Sequence, residues 1–384
     1  MSGPERTAGT SSTSGTVGRR ALAGVRGDRA ARLAWARLVE PADAEVARLV
    51  ATVGAEEALH SVGRDTILGA RLEARLPELD VDRDLAIARS LGARLVVPQD
   101  AEWPTRLDDL AAPPLCLWVL GEGRLDELAE RSVAVVGARA ATGYGLHVAR
   151  ELGAGLAERR FTVVSGAAYG IDGAAHEGAL AVGGPTVAVV AGGVDRAYPA
   201  GHAGLLKRIR EDGLVMSEVP PGSAPTKWRF LSRNRVIATL TRGTVVVEAG
   251  LRSGSRNTAR LAEEHHRLVC AVPGPVSSAV SAGCHELIRS GAQLVTDAAE
   301  VAESVGQVGE LAPRKQGATE PGDDLAPHHR VVLAALPHRA PIAVAELARR
   351  TGLSVIEVRG ALGALDVAEL ALQQGEGWRR VKRR

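Results

Sequence analysis

"VAVVGARAATGYG", Val133 to Gly145, is a run of small apolar residues that breaks into glycines and then resumes at helical spacing. A buried strand that turns through glycine into a helix start leaves free backbone amides, and with them a site for an anion. Further on, "SGAAYGIDGAAHEGAL", Ser165 to Leu180, repeats the device. Around this pair, "SVAVVG", "FTVVSG", "PTVAVVAGG", "GLVMSE", "TVVVEAG" and "RLVCAVPG" each read as a strand, and most precede a helical pattern. Continuous apolar runs of this kind belong to parallel strands covered on both faces. Residues 131–305 are therefore expected to form an α/β domain, a Rossmann-like doubly wound parallel sheet with its ligand at the carboxyl edge.

The motifs narrow the choice of anion. The glycine spacing is not GxGxxG, and the second strand, ending "VVSG", carries no acid for a ribose, which disfavours NAD; no GxxxxGK[ST] occurs, which disfavours an ATP-hydrolysing P-loop. No cofactor is expected. Arg139 and Thr142 in the first motif, and Ser165 and Gly166 in the second, stand where donors to an oxyanion would stand. Asp172 and His176, four residues apart, read better as a helix-start residue and a satisfied neighbour than as a catalytic pair. "WRFLSRNRVIATL" puts Arg229, Arg233, Asn234 and Arg235 on a helix whose other face is Val236, Ile237 and Leu240; arginine forks match phosphate. "VVVEAGLRSGSRNTARLA" adds Glu248, which reads better as an anchor for one of those arginines than as a contact to a ribose hydroxyl, a loop with Ser253, Gly254 and Ser255, and a helix entered through Asn257 and Thr258.

Composition agrees with a polymer. The chain has 384 residues and a net charge of only +2, yet Thr226 to Arg260 holds eight Lys or Arg against one acid, Glu248. That local excess is what a polyanion needs. Aromatic residues make up only 3%, but Tyr144, Tyr169, Tyr198, Phe161, Phe230 and Trp228 all fall between residues 144 and 230. Phe161 belongs to the core; Tyr144, Tyr198, Trp228 and Phe230 are the candidates for stacking on bases. Cys116, Cys270 and Cys284 form no CxxC pair, so neither a disulfide framework nor a metal site is expected. No apolar run is long enough for a membrane span or a signal peptide, and a cytoplasmic location is expected.

Outward from the sheet, residues 1–27 read as a disordered tail and 28–88 as a small helical domain. Residues 89–130 look like an irregular connector, because Trp103-Pro104 and Pro113-Pro114 interrupt its apolar runs. Residues 306–327 are a linker by their Gly, Pro and charge content, and 328–384 read as three helices and a hairpin, a winged helix. Its recognition segment, "SVIEVRGALGALDVAEL", carries Glu357, Arg359, Asp366 and Glu369 as its charged groups, so specific operator reading is not expected.

Seven motifs in order, "VVGARAATGYG", "VVSGAAYGIDGAAHEGAL", "AGGVDRAYPAGHAGLL", "MSEVPPG", "FLSRNRVIATL", "VVVEAGLRSGSRNTA" and "AVPGPVSSAVSAGCHELIRSGA", closely resemble the DNA-processing protein A family, DprA or Smf. The flanks fit as well, since family members often carry an N-terminal domain similar to a sterile-alpha-motif fold and a C-terminal winged helix. The resemblance implies a non-enzymatic homodimer, joined through its Rossmann-like domain, that binds single-stranded DNA. It also implies that the protein loads the recombinase RecA and protects incoming DNA in natural transformation or recombination. It places DNA contacts at Arg139, Ser165-Gly166, Arg233, Asn234 and Arg235, with Lys207 beside them, and Arg256 extends the basic surface. The chain departs from the family pattern at Ala138, where a hydroxyl residue is usual, and at Tyr169 and His202.

Two other classes stand beside this one. A nucleotide-binding or nucleotide-cleaving Rossmann enzyme would use a Glu in a PGGxGTxxE loop, and the equivalent loop here reads "GLRSGSRNTA". A winged-helix transcription regulator would need a basic recognition helix.

Overall fold

The computed structural model describes residues 22, 24–62, 66–306 and 325–381, in two compact units, 1–312 and 313–384. Most of the expected tail and linker lies outside the described residues. Leu22 and Val25, assigned to the tail by sequence, are buried in the helical domain, whose core therefore begins before residue 28.

In the first unit the strands are β1 (Ala93–Val96), β2 (Leu117–Leu120), β3 (Ser132–Val136), β4 (Thr162–Ser165) and β5 (Thr186–Val189). They are followed by β6 (Leu214–Ser217), β7 (Gly243–Val246), β8 (Leu268–Ala271) and β9 (Gln293–Leu294). They form one sheet in the order β1-β2-β6-β5-β4-β3-β7-β8-β9. From β6 to β9 every pairing is parallel. The six apolar runs read from the sequence are β3 to β8. Their Val and Ala side chains are buried on both faces, beneath helices such as Gly143–Glu158 and Ile171–Ala181 on one side and Lys227–Leu240 and Gly254–Glu264 on the other.

The chain winds outward from β3 through β4 and β5 to β6, then returns to the other side of β3 for β7, β8 and β9. The winding direction reverses between β3 and β7, so the helices that follow these strands diverge and leave a crevice at their carboxyl ends. The Ala138 amide donates to the Glu248 carbonyl at 2.7 Å and ties the two strand ends together beneath it.

The expected connector is instead part of the sheet. β1 and β2 pair antiparallel, Ala93 with Leu120 through Val96 with Leu117, and β2 adds antiparallel to β6. Trp118 on β2 is fully buried. The proline pairs lie between these strands and not within them, so they shape the loop without breaking the ladder.

The helical domain runs through Asp28–Leu38, Ala44–Val53, Ala55–Ser61, Thr66–Leu72 and Val81–Leu91. Trp35 is its fully buried centre, and its indole N–H donates to the Ala55 carbonyl at 3.1 Å. The second unit has helices Pro327–Ala335, Val344–Thr351 and Val355–Val367, and a sheet in the order β10 (Ile342–Ala343), β12 (Gly377–Arg380), β11 (Ala371–Gln374). Ser354 and Glu357 close a reciprocal cap at the start of the third helix. Three helices and a β-hairpin packed around Val332, Leu347, Val358 and Leu365 make the winged helix expected from sequence.

Candidate nucleic-acid interface

At the carboxyl ends of β3 and β7 a cleft of about 470 Å³ opens, lined among others by Arg139, Asp172, Phe230, Arg233, Asn234 and Ser253. Each wall follows from local sequence. Gly137 ends β3 and turns the chain so that Arg139 projects, exposed, over the opening. The Lys227–Leu240 helix starts at Thr226, whose hydroxyl accepts from the Arg229 amide, and it brings Phe230, Arg233 and Asn234 to the rim. The Gly254–Glu264 helix starts at Ser253, and Ser253, Gly254 and Ser255 all face the cleft, which aims a helix N-terminus into it.

Arg233 is only 7% exposed. Burial pushes its guanidinium down to about 10; the negative charge of Asp172 works against that and the positive charge of Arg139 adds to it. It remains a cation at neutral pH. Its Nε is buried without a hydrogen-bond partner. Neither Arg233 nor Arg139 makes a hydrogen bond or ion pair with any described residue, and Asn234 makes no hydrogen bond. A buried cation without a bonded counter-ion is costly, and an entering phosphate would supply the missing acceptors.

Among the described residues Asp172 is the one acid lining this cleft, and it is already engaged. Its Oδ2 accepts from the Gly166 and Ala168 amides at 3.1 and 3.4 Å, which fixes the turn after β4. Burial raises its carboxyl, while Arg233 and these amides pull it back. The sequence reading of Asp172 as a helix-start residue agrees with this, and His176 is likewise buried and bonded to Thr186 at 2.7 Å.

The aromatic component converges on Phe230. The Arg139 and Arg233 guanidinium carbons lie 5.0 and 6.0 Å from its ring centroid, and the Tyr198 ring centroid is 5.4 Å away at a tilt of 52°. Tyr198 and Trp228 are 47% and 55% exposed, enough to offer a face to a base. Tyr144 lies farther along, its hydroxyl donating to the Pro273 carbonyl at 2.7 Å.

Several expected contacts are placed elsewhere. Arg235 is buried in an ion pair with Glu218 and donates to the Ala112 carbonyl at 2.8 Å. The reason is helical geometry: at 100° per residue, Arg233 and Arg235 point to nearly opposite sides, so the "RNR" triplet cannot close on one anion. Arg229 forks onto Glu40 of the helical domain, at 2.8 and 3.0 Å. The Ser165 hydroxyl is spent on the Val135 carbonyl at 2.7 Å, and Gly166 contributes space instead of a free amide. The Thr142 amide and hydroxyl both donate to Glu248, at 2.9 and 2.6 Å. Glu248 therefore anchors the first glycine turn and not an arginine. Arg256 folds back onto the Leu251 carbonyl, and Lys207 lies on the Ala203–Asp212 helix beside a separate cavity shared with Arg196 and Arg210. Ser255 and Thr258, which the sequence reading named in the loop and at the helix entry but not among the contacts, also line the cleft; the helix starts earlier, after the Ser253 N-cap, and this turns them toward it.

A doubly wound sheet with two arginines that have no bonded partner among the described residues, and an aromatic ring, at its switch point defines an α/β protein with a basic crevice at its carboxyl edge. The chain belongs to the DNA recombination-mediator protein A family: residues 94–306 match the family of that description, and residues 316–377 match the DprA winged helix domain. It is 48% identical over 366 residues to the putative DNA processing protein DprA of Mycobacterium tuberculosis, covering 90% of this chain and 93% of that one. It is 44% identical over 199 residues to DNA processing protein DprA of Streptococcus pneumoniae, covering 52% and 70%. The crystal structure of the Streptococcus pneumoniae protein superposes with a TM-score of 0.59 at 32% identity, over 75% of this chain and 96% of that one. DNA processing protein A from Helicobacter pylori, described for its single-stranded DNA binding mode, superposes with a TM-score of 0.50 at 28% identity, over 55% and 95%.

Proposed function

We propose that this chain binds single-stranded DNA in the cleft between β3 and β7 and acts there as a recombination mediator, delivering the strand to RecA. The observation that carries the reading is the pair Arg139 and Arg233, both without bonded partners among the described residues, flanking Phe230. Phosphate oxygens would take the guanidinium donors and the Gly254 amide at the start of the Gly254–Glu264 helix, since the Ser253 and Ser255 amides already donate to the Gly250 carbonyl and the Ser253 hydroxyl, while bases stack on the Phe230–Tyr198 ledge. Arg233 is only 7% exposed, which favours a flexible strand whose phosphates can enter one at a time over a rigid duplex. The single-stranded DNA binding ascribed to the Helicobacter pylori protein supports the same assignment.

A binding role also agrees with Glu248, the carboxylate a nucleotide-cleaving enzyme would need. It is 2% exposed and both its oxygens accept from Thr142. RecA delivery, homodimerisation and a part in natural transformation follow from the family resemblance. Among the described residues no helix is long and apolar enough to cross a membrane.

Competition between a labelled oligothymidine and unlabelled single-stranded or duplex DNA tests the reading. Displacement by single strands at far lower concentration than by duplex is expected; equal displacement would overturn it.

A further inference from the structure

The helix that carries Phe230, Arg233 and Asn234 is unevenly held. Its second half, Val236 to Leu240, is buried in the sheet core, whereas Lys227, Trp228 and Leu231 in its first turns are exposed. The loop before it is tied to the sheet domain, where Asp195 Oδ1 accepts from the Gly222 amide at 2.8 Å and the Gly193 amide donates to the Ser223 carbonyl at 2.9 Å; the first helical turn is braced from the helical domain. Glu40 receives a two-pronged contact from Arg229, Nε to Oε2 at 2.8 Å and Nη2 to Oε1 at 3.0 Å, and a further bond from Arg75 at 2.7 Å. The remaining arm of Arg229 donates to the Ala224 carbonyl at 2.8 Å and closes the turn before the helix. A second grip lies just upstream, where Arg37 reaches across to the Pro221 carbonyl at 3.0 Å while paired with Asp84. Between the two grips is a cavity of about 250 Å³ bordered by Arg37, Arg75 and Arg229, so on this side the contact rests on the ion pairs and not on close packing.

We infer that Glu40 is a positioning residue of the DNA cleft: through Arg229 it sets the first turn of the Lys227–Leu240 helix, and with it the placement of Phe230 and Arg233. The inference rests on the cleft being the single-strand site. Burial would raise the Glu40 carboxyl, yet hydrogen bonds and charge from Arg229 and Arg75 hold it below the usual carboxylate range, so the clamp is charged at neutral pH. Arg229 spends its guanidinium on Glu40 and Ala224, and its side chain is 17% exposed, which leaves it a brace and not a phosphate contact. The helical domain thus completes the cleft from behind without touching the strand.

The test uses the full-length chain, a labelled oligothymidine and anisotropy titrations at several salt concentrations. Glu40→Gln and Arg229→Gln are each expected to weaken binding by about three- to tenfold. The salt slope should stay that of the wild type, because no phosphate contact is removed. The double variant should be no weaker than the weaker single one, as for two residues acting as a unit. Glu40→Asp, which keeps the charge on a shorter arm, should lose less than Glu40→Gln. Unchanged or tighter binding by folded Glu40→Gln overturns the inference. So does a slope shallower by about 0.7 in Arg229→Gln alone, the mark of a lost phosphate contact. If Glu40→Gln does not fold, Arg229→Gln decides, since wild-type affinity in a folded Arg229→Gln variant is equally contrary. Arg139→Ala run in parallel separates the two levels. If it binds as the wild type does, the cleft assignment itself fails; if it is weakened while the Glu40 variants are not, only the brace fails.

Discussion

The Arg233 guanidinium lies directly over Gly166: a methyl group added to that glycine would sit 1.5 Å from Nη1 and 2.3 Å from the guanidinium carbon. The turn after β4 is glycine because a buried arginine from the opposite wall occupies the space of a side chain. Gly166→Ala should therefore push Arg233 out of its seat and weaken oligothymidine binding, by about 1 to 3 kcal/mol if the contact is lost outright. The amide of residue 166 can still donate to Asp172, so circular dichroism should show a folded protein. Wild-type affinity in a folded Gly166→Ala variant would show that Arg233 does not bind the strand.

The sheet was legible because its central strands are buried on both faces and read as unbroken apolar runs. β1 and β2 were not: they are as long as β4 to β8, but the prolines between them, at Pro104 and Pro113-Pro114, read as an irregular connector and hid their pairing across the loop. At the site, Arg139 and Arg233 were legible from motif position. The fates of Arg229 and Arg235 were not, because their partners, Glu40 and Glu218, lie 189 and 17 residues away and only the folded chain brings them close. Gly145 shows the same limit. In sequence it invites a phosphate, yet in the fold its missing side chain makes room for Glu248, whose Oε2 would lie 2.3 Å from an added methyl.

Arg235 should behave as a stability residue. The ion pair with Glu218 is nearly enclosed, with the two side chains 8% and 13% exposed, and burial raises the Glu218 carboxyl against the pull of Arg235. Arg235→Gln would leave Glu218 without its partner and should cost about 3 to 5 kcal/mol of folding free energy, less to the extent that Glu218 takes up a proton. Urea unfolding measures this. The folded fraction should bind oligothymidine as the wild type does; a large affinity loss with unchanged stability would restore Arg235 to the interface.

His176 should make folding sensitive to acid. The Thr186 hydroxyl donates to the Val163 carbonyl at 2.6 Å, so the network assigns the His176 proton to Nδ1, donating to Thr186, and leaves the buried Nε2 unpartnered. Burial, with the charges of His202 and Arg233, pushes the imidazole from 6.5 down to about 3. In that window the unfolded chain binds a proton that the folded chain refuses. Stability is full above pH 6.5 and falls as pH drops toward 3, by up to about 1.4 kcal/mol per pH unit. Asp172 and Glu218, with raised carboxyl values, act in the opposite sense, so the comparison is wild type against His176→Asn. The variant should lose the added acid dependence; parallel pH profiles would contradict the assignment.

The most direct measurement is the salt dependence of oligothymidine binding by wild type, Arg139→Ala, Arg233→Ala and the double variant, with circular dichroism to establish folding. If these two guanidinium groups neutralise strand phosphates, log affinity should fall linearly with log salt, and each substitution should make the slope shallower by about 0.7. The loss should be the same for different base sequences, since phosphate contacts position a strand without reading it. A folded double variant with the wild-type slope and affinity would contradict the cleft between β3 and β7 as the place where single-stranded DNA is held.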